Sequence, residues 1–155
     1  MYNKIGDSMK IAIASDHRGV EYKNKIIVYL KKLGYDVVDC SPENTPTDDY
    51  PDYAFSVCNK VVTKVADIGI LCCGTGIGMS IAANKVKGIR CAKVDSVKDA
   101  ILSRNDNGAN VMAFSYKKSF YKMKKIIKAF IESKSLTDER HIRRVNKISS
   151  YERSN

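Results

Sequence analysis

"DIGILCCGTGIGMSIAANKV", residues 67–86, decides the fold. Its opening, 67–73, is an apolar run of the kind that suits a buried strand. Its close, 77–86, is built of small and apolar residues at helical spacing. Between them lie Gly74, Gly76 and Gly78, separated by Thr75 and Ile77. A strand that passes through a glycine turn straight into a helix is the building unit of a parallel sheet.

The same alternation extends in both directions. Short apolar stretches at 10–16 (KIAIASD), 35–40 (YDVVDC), 88–94 (GIRCAKV) and 109–115 (ANVMAFS) read as strands. Segments 20–34, 53–65, 96–106 and 117–134 read as helices between them, the first stopped by Gly34. A last helix at 137–152 takes Thr137 as its cap. The strands lack polar/apolar alternation, as strands covered on both faces do. The expectation is one α/β domain over residues 10–152: a doubly wound, Rossmann-like, five-stranded parallel sheet flanked by helices, with a C-terminal helix and strand order 2-1-3-4-5. The segment "SPENTPTDDYPD" (41–52) holds all three prolines and reads as a long loop, a common place for function. Residues 1–9 read as a disordered lead-in, without the apolar stretch of a secretory signal.

Of 155 residues, 44% are hydrophobic, enough for a sizeable core, and no apolar run approaches the ~18 residues of a membrane span. The net charge is +10, from 27 Lys and Arg against 17 Asp and Glu. Such a balance suits an anionic substrate or a nucleic acid. The chain has no nucleic-acid motif and its basic residues are spread over helices, so neither a nucleic-acid nor a membrane partner is expected. The five cysteines are odd in number, form no CxxC, and have only two histidines in the chain to join them. That excludes a disulfide framework and a zinc site, and points to a reducing, cytoplasmic compartment.

In doubly wound sheets, ligands bind at the carboxyl ends of the strands. Ser15, Asp16 and His17 end the first strand and Cys73 ends the third, so both clusters face one crevice. Glycines let backbone N–H groups approach an anion closely. The spacing is GxGxG rather than the GxGxxG of dinucleotide sites, and the GK[ST] of a P-loop is absent. A thiol where a strand meets a helix N-terminus is favourably placed to act as a thiolate, and adjacent N–H groups can hold a developing oxyanion. Together they suit removal of a proton beside a carbonyl, or attack on one. Cys72 points to the other face of its strand and reads as a small core residue.

With these residues in view, the chain resembles the ribose-5-phosphate isomerase type B family, which includes galactose-6-phosphate isomerase subunits. The likeness runs from about residue 10 to 152. It rests on SDHRG (15–19), DYPDYA (49–54), CGTGIGMSIAANK (73–85), GIR (88–90), LSR with Asn107 and ANV (102–111), and RHIRRV (140–145). The resemblance implies a five-stranded parallel sheet and a homodimer, or a dimer of dimers, whose active sites are each shared by two chains. It implies interconversion of ribose 5-phosphate and ribulose 5-phosphate through an enediolate, with a sugar phosphate as the only small-molecule partner and no metal or cofactor. Cys73 then matches the base and Thr75 the hydroxyl that assists proton transfer. Gly74, Gly76 and Gly78 match the loop that holds the enediolate. Asp16 matches a contact to sugar hydroxyls and a catalytic position, and His17 a phosphate ligand. Tyr50 falls at the pocket wall and Asn107 at the sugar, while Arg140 and Arg144 match phosphate ligands. The two arginines are four apart and share a helical face.

Two positions depart from the family pattern. Asp106 stands where the family commonly has the histidine that opens the sugar ring, so ring opening falls to Asp106, to Asp16 with His17, or to the spontaneous reaction. Lys117 replaces an arginine and offers phosphate a point charge without a bidentate fork. A six-carbon aldose 6-phosphate as substrate, or a sugar-phosphate binding protein without catalysis, are the alternatives these residues leave open.

Overall fold

The computed structural model describes residues 8–155. Residues 1–7 of the expected lead-in lie outside the described residues. Met9 packs against the core, and its carbonyl accepts from the Asp36 N–H at 3.1 Å.

Five strands, β1 (Lys10–Ser15), β2 (Asp36–Asp39), β3 (Ile68–Cys73), β4 (Cys91–Lys93) and β5 (Val111–Ser115), form one sheet among the described residues. Every pairing is parallel. The helices are α1 (Val20–Lys32), α2 (Tyr50–Val62), α3 (Ile77–Ala83), α4 (Val97–Asn105), α5 (Phe120–Glu132) and α6 (Glu139–Ser154). The α/β sheet read from the sequence is the one observed.

Alternate strand residues divide the core in two. Ile11, Ile13, Ile68, Ile70, Cys72, Met112 and Phe114 face the layer of α1, α4 and α5. Ala12, Ala14, Leu71, Cys73, Val111 and Ala113 face α2 and α3. The adjacent cysteines therefore point into opposite layers, as expected. The small residues on the second face let α2 and α3 lie close to the sheet.

The strand order is β2-β1-β3-β5-β4, which corrects the expected order at one edge. β5 inserts between β3 and β4. Its first four residues are fully buried and belong in the middle of a sheet. β4 has three residues, none of them buried, and ends at exposed Lys93, which suits a short, charged edge. The neighbourhood of β1 and β3 is unaffected, so the two expected clusters still meet.

Gly34 stops α1 as expected, and several other element ends differ from the reading, α5 for one beginning at Phe120 rather than 117. α1 ends in a paired cap: Gly34, at φ +89°, donates to Lys31 O at 3.0 Å, and the Tyr35 N–H reaches Leu30 O at 3.2 Å. α2 begins at Tyr50 rather than 53, with Pro51 in its first turn, where the missing N–H costs nothing. The cap of α6 is Asp138, not Thr137: the Asp138 carboxylate accepts from Arg140 N–H at 2.7 Å, while Thr137 N–H donates to Asn105 O. No helix among the described residues is long and apolar enough to cross a membrane.

Candidate active site

Cys73 is the last residue of β3 and only 6% exposed. Its Sγ accepts the Gly76 N–H at 3.1 Å. Gly76 makes this contact because it sits at φ +78°, pressed against β5; a Cβ there would lie 2.8 Å from Phe114 Cα. No other residue type combines that dihedral with that approach. The turn is tied to β5 at two further points. Ser115 Oγ donates to Gly74 O at 2.7 Å, and Tyr116 N–H donates to Cys73 O at 3.1 Å.

Thr75 is exposed, and its Oγ1 accepts the Ile77 N–H at 3.1 Å, leaving the hydroxyl proton for another acceptor. Tyr50, in the first turn of α2, lays its ring on Gly78; a Cβ on Gly78 would meet Tyr50 Cζ at 2.8 Å. Lys117 lies just past β5, its N–H on Ser115 Oγ at 3.1 Å.

At the end of β1, the Asp16 N–H donates to Cys72 O at 3.3 Å, holding this strand end beside the glycine turn. Asp16 Oδ1 caps the short turn that follows, accepting from Arg18 N–H and Gly19 N–H. Next to it, His17 is anchored twice to Asp48, through its backbone N–H at 3.3 Å and through Nδ1 at 2.8 Å. Asp48 also accepts from Asn44 Nδ2 and Tyr53 Oη, each at 3.0 Å. Burial of its carboxyl pushes toward the neutral form, but the hydrogen bonds donated by Asn44, His17 and Tyr53 outweigh it and hold the group down at about 2.

The other thiols differ from Cys73 in their surroundings. Burial pushes Cys72 far above the ordinary thiol range, and Cys58 and Cys91 up to about 12. The Cys40 sulfur donates to a carbonyl oxygen, and Cys58 does so at the limit of contact. Among the described residues, no group of three or more His, Cys, Asp or Glu is arranged to hold a metal ion.

The remaining expected residues are elsewhere. Asp106 and Asn107 follow α4 and precede β5, so they lie at the amino end of the sheet. Cys73 pairs in register with Ser115, at the carboxyl end of β5. Four residue steps along that strand separate the two levels by roughly 13 Å. Arg140 and Arg144 belong to the amino-end group as well. The residues before α6 are fixed to the end of α4 by Leu136 N–H on Arg104 O and Thr137 N–H on Asn105 O. Near its far end, Glu152 accepts from Gly88 N–H, ahead of β4. In that group Asp106 Oδ1 stands 3.4 Å from His141 Nε2, and Arg90 Nε donates to Asn107 O at 2.9 Å.

The chain thus brings together Cys73, Gly74, Thr75, Gly76, Gly78, Tyr50, Asp16, His17 and Lys117, and holds Asp106, Asn107, Arg140 and Arg144 apart. Asp48, Asn44 and Tyr53 were missed by sequence reasoning. The signal for Asn44 and Asp48 was the acidic loop itself, which leaves β2 beside the end of β1, while Tyr53 comes from the first turn of α2.

A family model described as Ribose/Galactose Isomerase matches residues 11–148. The chain belongs to the ribose/galactose isomerase family. Among curated members, it is 34% identical to ribose-5-phosphate isomerase B of Mycobacterium tuberculosis, over 94% of this chain and 91% of that protein. Among solved structures of the family, ribose-5-phosphate isomerase B of Clostridium thermocellum superposes with a TM-score of 0.90 at 39% identity, covering 94% of this chain and 99% of that one. The Mycoplasma genitalium ribose-5-phosphate isomerase B, crystallised with bound ribulose 5-phosphate, superposes with a TM-score of 0.89 at 42% identity, over 96% and 99% of the two chains.

Proposed function

We propose that this protein is an aldose–ketose isomerase that interconverts ribose 5-phosphate and ribulose 5-phosphate, with Cys73 as the base. The observation that carries the assignment of the base is the Gly76 N–H on Cys73 Sγ at 3.1 Å. The sulfur is held as an acceptor at the mouth of the glycine turn, the role a base requires. Membership of the isomerase family, and the ribulose 5-phosphate bound by the Mycoplasma genitalium relative, support the substrate.

The open-chain aldose carries its carbonyl at C1. Cys73 takes the C2 proton, and that electron pair forms the C1–C2 double bond of an enediolate with its charge on O1. N–H groups of the 74–78 turn face the oxyanion, and Thr75 passes a proton between O2 and O1. Return of the proton to C1 leaves the ketone at C2. His17 and Lys117 meet the phosphate from this side, Asp16 and Tyr50 meet the sugar.

The second group, Asp106, Asn107, Arg140 and Arg144, is assigned to the site of a partner copy, which makes the active form a homodimer. Its separation from Cys73 within one chain supports this reading, as does the isologous symmetry expected of two identical chains. The unpaired thiols fit a cytoplasmic setting.

The test is ketose formation from ribose 5-phosphate by wild-type protein and Cys73→Ala. Loss of turnover by roughly 10²–10⁴-fold with substrate binding retained is expected. Equal kcat in the variant refutes the base assignment. Turnover of a six-carbon aldose 6-phosphate in place of the pentose refutes the substrate.

A further inference from the structure

The loop after β2 is built around a buried carboxylate that touches no substrate-facing group except His17. Asp48 has a side chain 6% exposed. One oxygen, Oδ1, receives both the backbone N–H and Nδ1 of His17. The other, Oδ2, receives Asn44 Nδ2, Tyr53 Oη and, at 3.3 Å, the Thr45 backbone N–H, so donors on both oxygens fix the direction of the carboxylate. Asn44 Nδ2 also donates to Ser15 O at 3.0 Å, which locks the loop to the end of β1. One layer deeper, Lys23 is 1% exposed and donates to Asp39 Oδ1, Ser41 O and Ser41 Oγ. Ser41 Oγ in turn accepts the Ser15 N–H at 3.0 Å.

A loop needs none of this merely to cover a sheet end. A buried carboxylate on a ring nitrogen does one specific thing: it sets which nitrogen carries the proton and where the other one points. With Nδ1–H donating to Asp48, Nε2 is the remaining nitrogen, and it has no protein partner among the described residues. The ring is a third exposed, so Nε2 is open to a ligand.

We propose that Asp48 is a positioning residue of the isomerase site, holding His17 as the Nδ1–H form with Nε2 presented to the phosphate of the substrate. The proposal rests on the reading that His17 meets that phosphate. An imidazole backed by a carboxylate can carry a second proton on Nε2 and donate it to a phosphate oxygen in a charge-assisted bond. Asn44 and Tyr53 share the task of keeping Asp48 in place.

The test is a double-mutant cycle on ribose 5-phosphate turnover with His17→Ala, Asp48→Ala and both together. Asp48→Ala is expected to raise KM about 10-fold with kcat within about twofold, the worth of one hydrogen bond to a charged group. In the His17→Ala background the same change is expected to add nothing. A full-sized Asp48 effect in that background overturns the proposal and leaves the reading of His17 intact. An unchanged KM in His17→Ala alone overturns that reading, and the proposal with it. Asp48→Asn, closer in shape, serves the same cycle if the alanine variant does not fold. The chain has two histidines, so the nitrogen resonances of His17 are separable by ¹⁵N NMR. Wild type is expected to show the Nδ1–H form and Asp48→Ala a shift toward Nε2–H; the same tautomer in both overturns the proposal.

Discussion

Cys73 and Asp106 lie at opposite ends of one sheet: Cys73 stands level with Ser115 at the carboxyl end of β5, and Asp106 comes before that strand begins. No side-chain motion closes a gap of roughly four strand residues, ~13 Å. The proposed dimer therefore takes them from two chains.

Mixing inactive variants tests this directly. Cys73→Ala and Arg144→Ala are each expected to be nearly inactive at low substrate. After unfolding and refolding together in equal amounts, half the dimers are mixed, and each mixed dimer regains one intact site. Recovery to about a quarter of wild-type activity is expected from that symmetry. A mixture no more active than its parts places both residues in the same chain's site.

Two glycines of the turn are expected to fail differently. Gly76→Ala puts a Cβ against the Phe114 backbone at a left-handed dihedral, and neither can yield. A stability loss of at least 1–2 kcal/mol in urea unfolding is expected, with activity lost. Gly78→Ala meets only the Tyr50 ring, which is 42% exposed and free to swing aside. That variant is expected to unfold within about 0.5 kcal/mol of wild type while its KM rises, because Tyr50 leaves the wall.

Acid stability reads out Asp48. Its carboxyl sits at about 2 in the folded chain against an ordinary 3.8. A depressed folded value means the unfolded chain binds the proton more readily. The contribution is therefore complete above about pH 4 and lost as pH falls toward 2. Urea unfolding of wild type and Asp48→Asn is expected to show a gap at neutral pH that closes over this window. A gap of constant size down to about pH 2 means the carboxylate charge is not what the fold uses.

Arg144→Ala is expected to raise KM for ribose 5-phosphate by roughly 10–100-fold with a small change in kcat, because a phosphate contact is remote from the reacting carbons. Initial rates across substrate concentration measure the split. A level KM places the phosphate elsewhere.

How far the sequence led depends on the range of the interaction concerned. The alternation of apolar strands and helices is local, and it named the sheet. Cys73 and its glycines are neighbours in the chain, so their meeting was legible too. The order of β4 and β5 was not, since it depends on which strand is buried on both sides; Arg90 and Lys93 around β4, against the wholly apolar Val111–Phe114, were the signal for it. Asp48 was hidden among acidic neighbours: its meeting with His17, 31 residues away, exists only once β2 lies beside β1. The separation of Asp106 from Cys73 was implicit in chain direction, because every helix-to-strand connection of a parallel sheet lies at the amino ends. The shift of the α6 cap from Thr137 to Asp138 reflects Thr137 N–H being drawn to Asn105 O instead.

The division of the proposed site residues between two ends of one sheet, in the proposed dimer, has an evolutionary side. The thiol end and the arginine end lie about four strand residues, ~13 Å, apart, so a side chain at one end does not touch the other. After gene duplication, one daughter chain can lose its thiol end and the other its arginine end. Paired, the two still assemble one working centre, and neither can then be discarded. A self-sufficient enzyme of this architecture is one duplication and two losses away from an obligate partnership of unlike subunits.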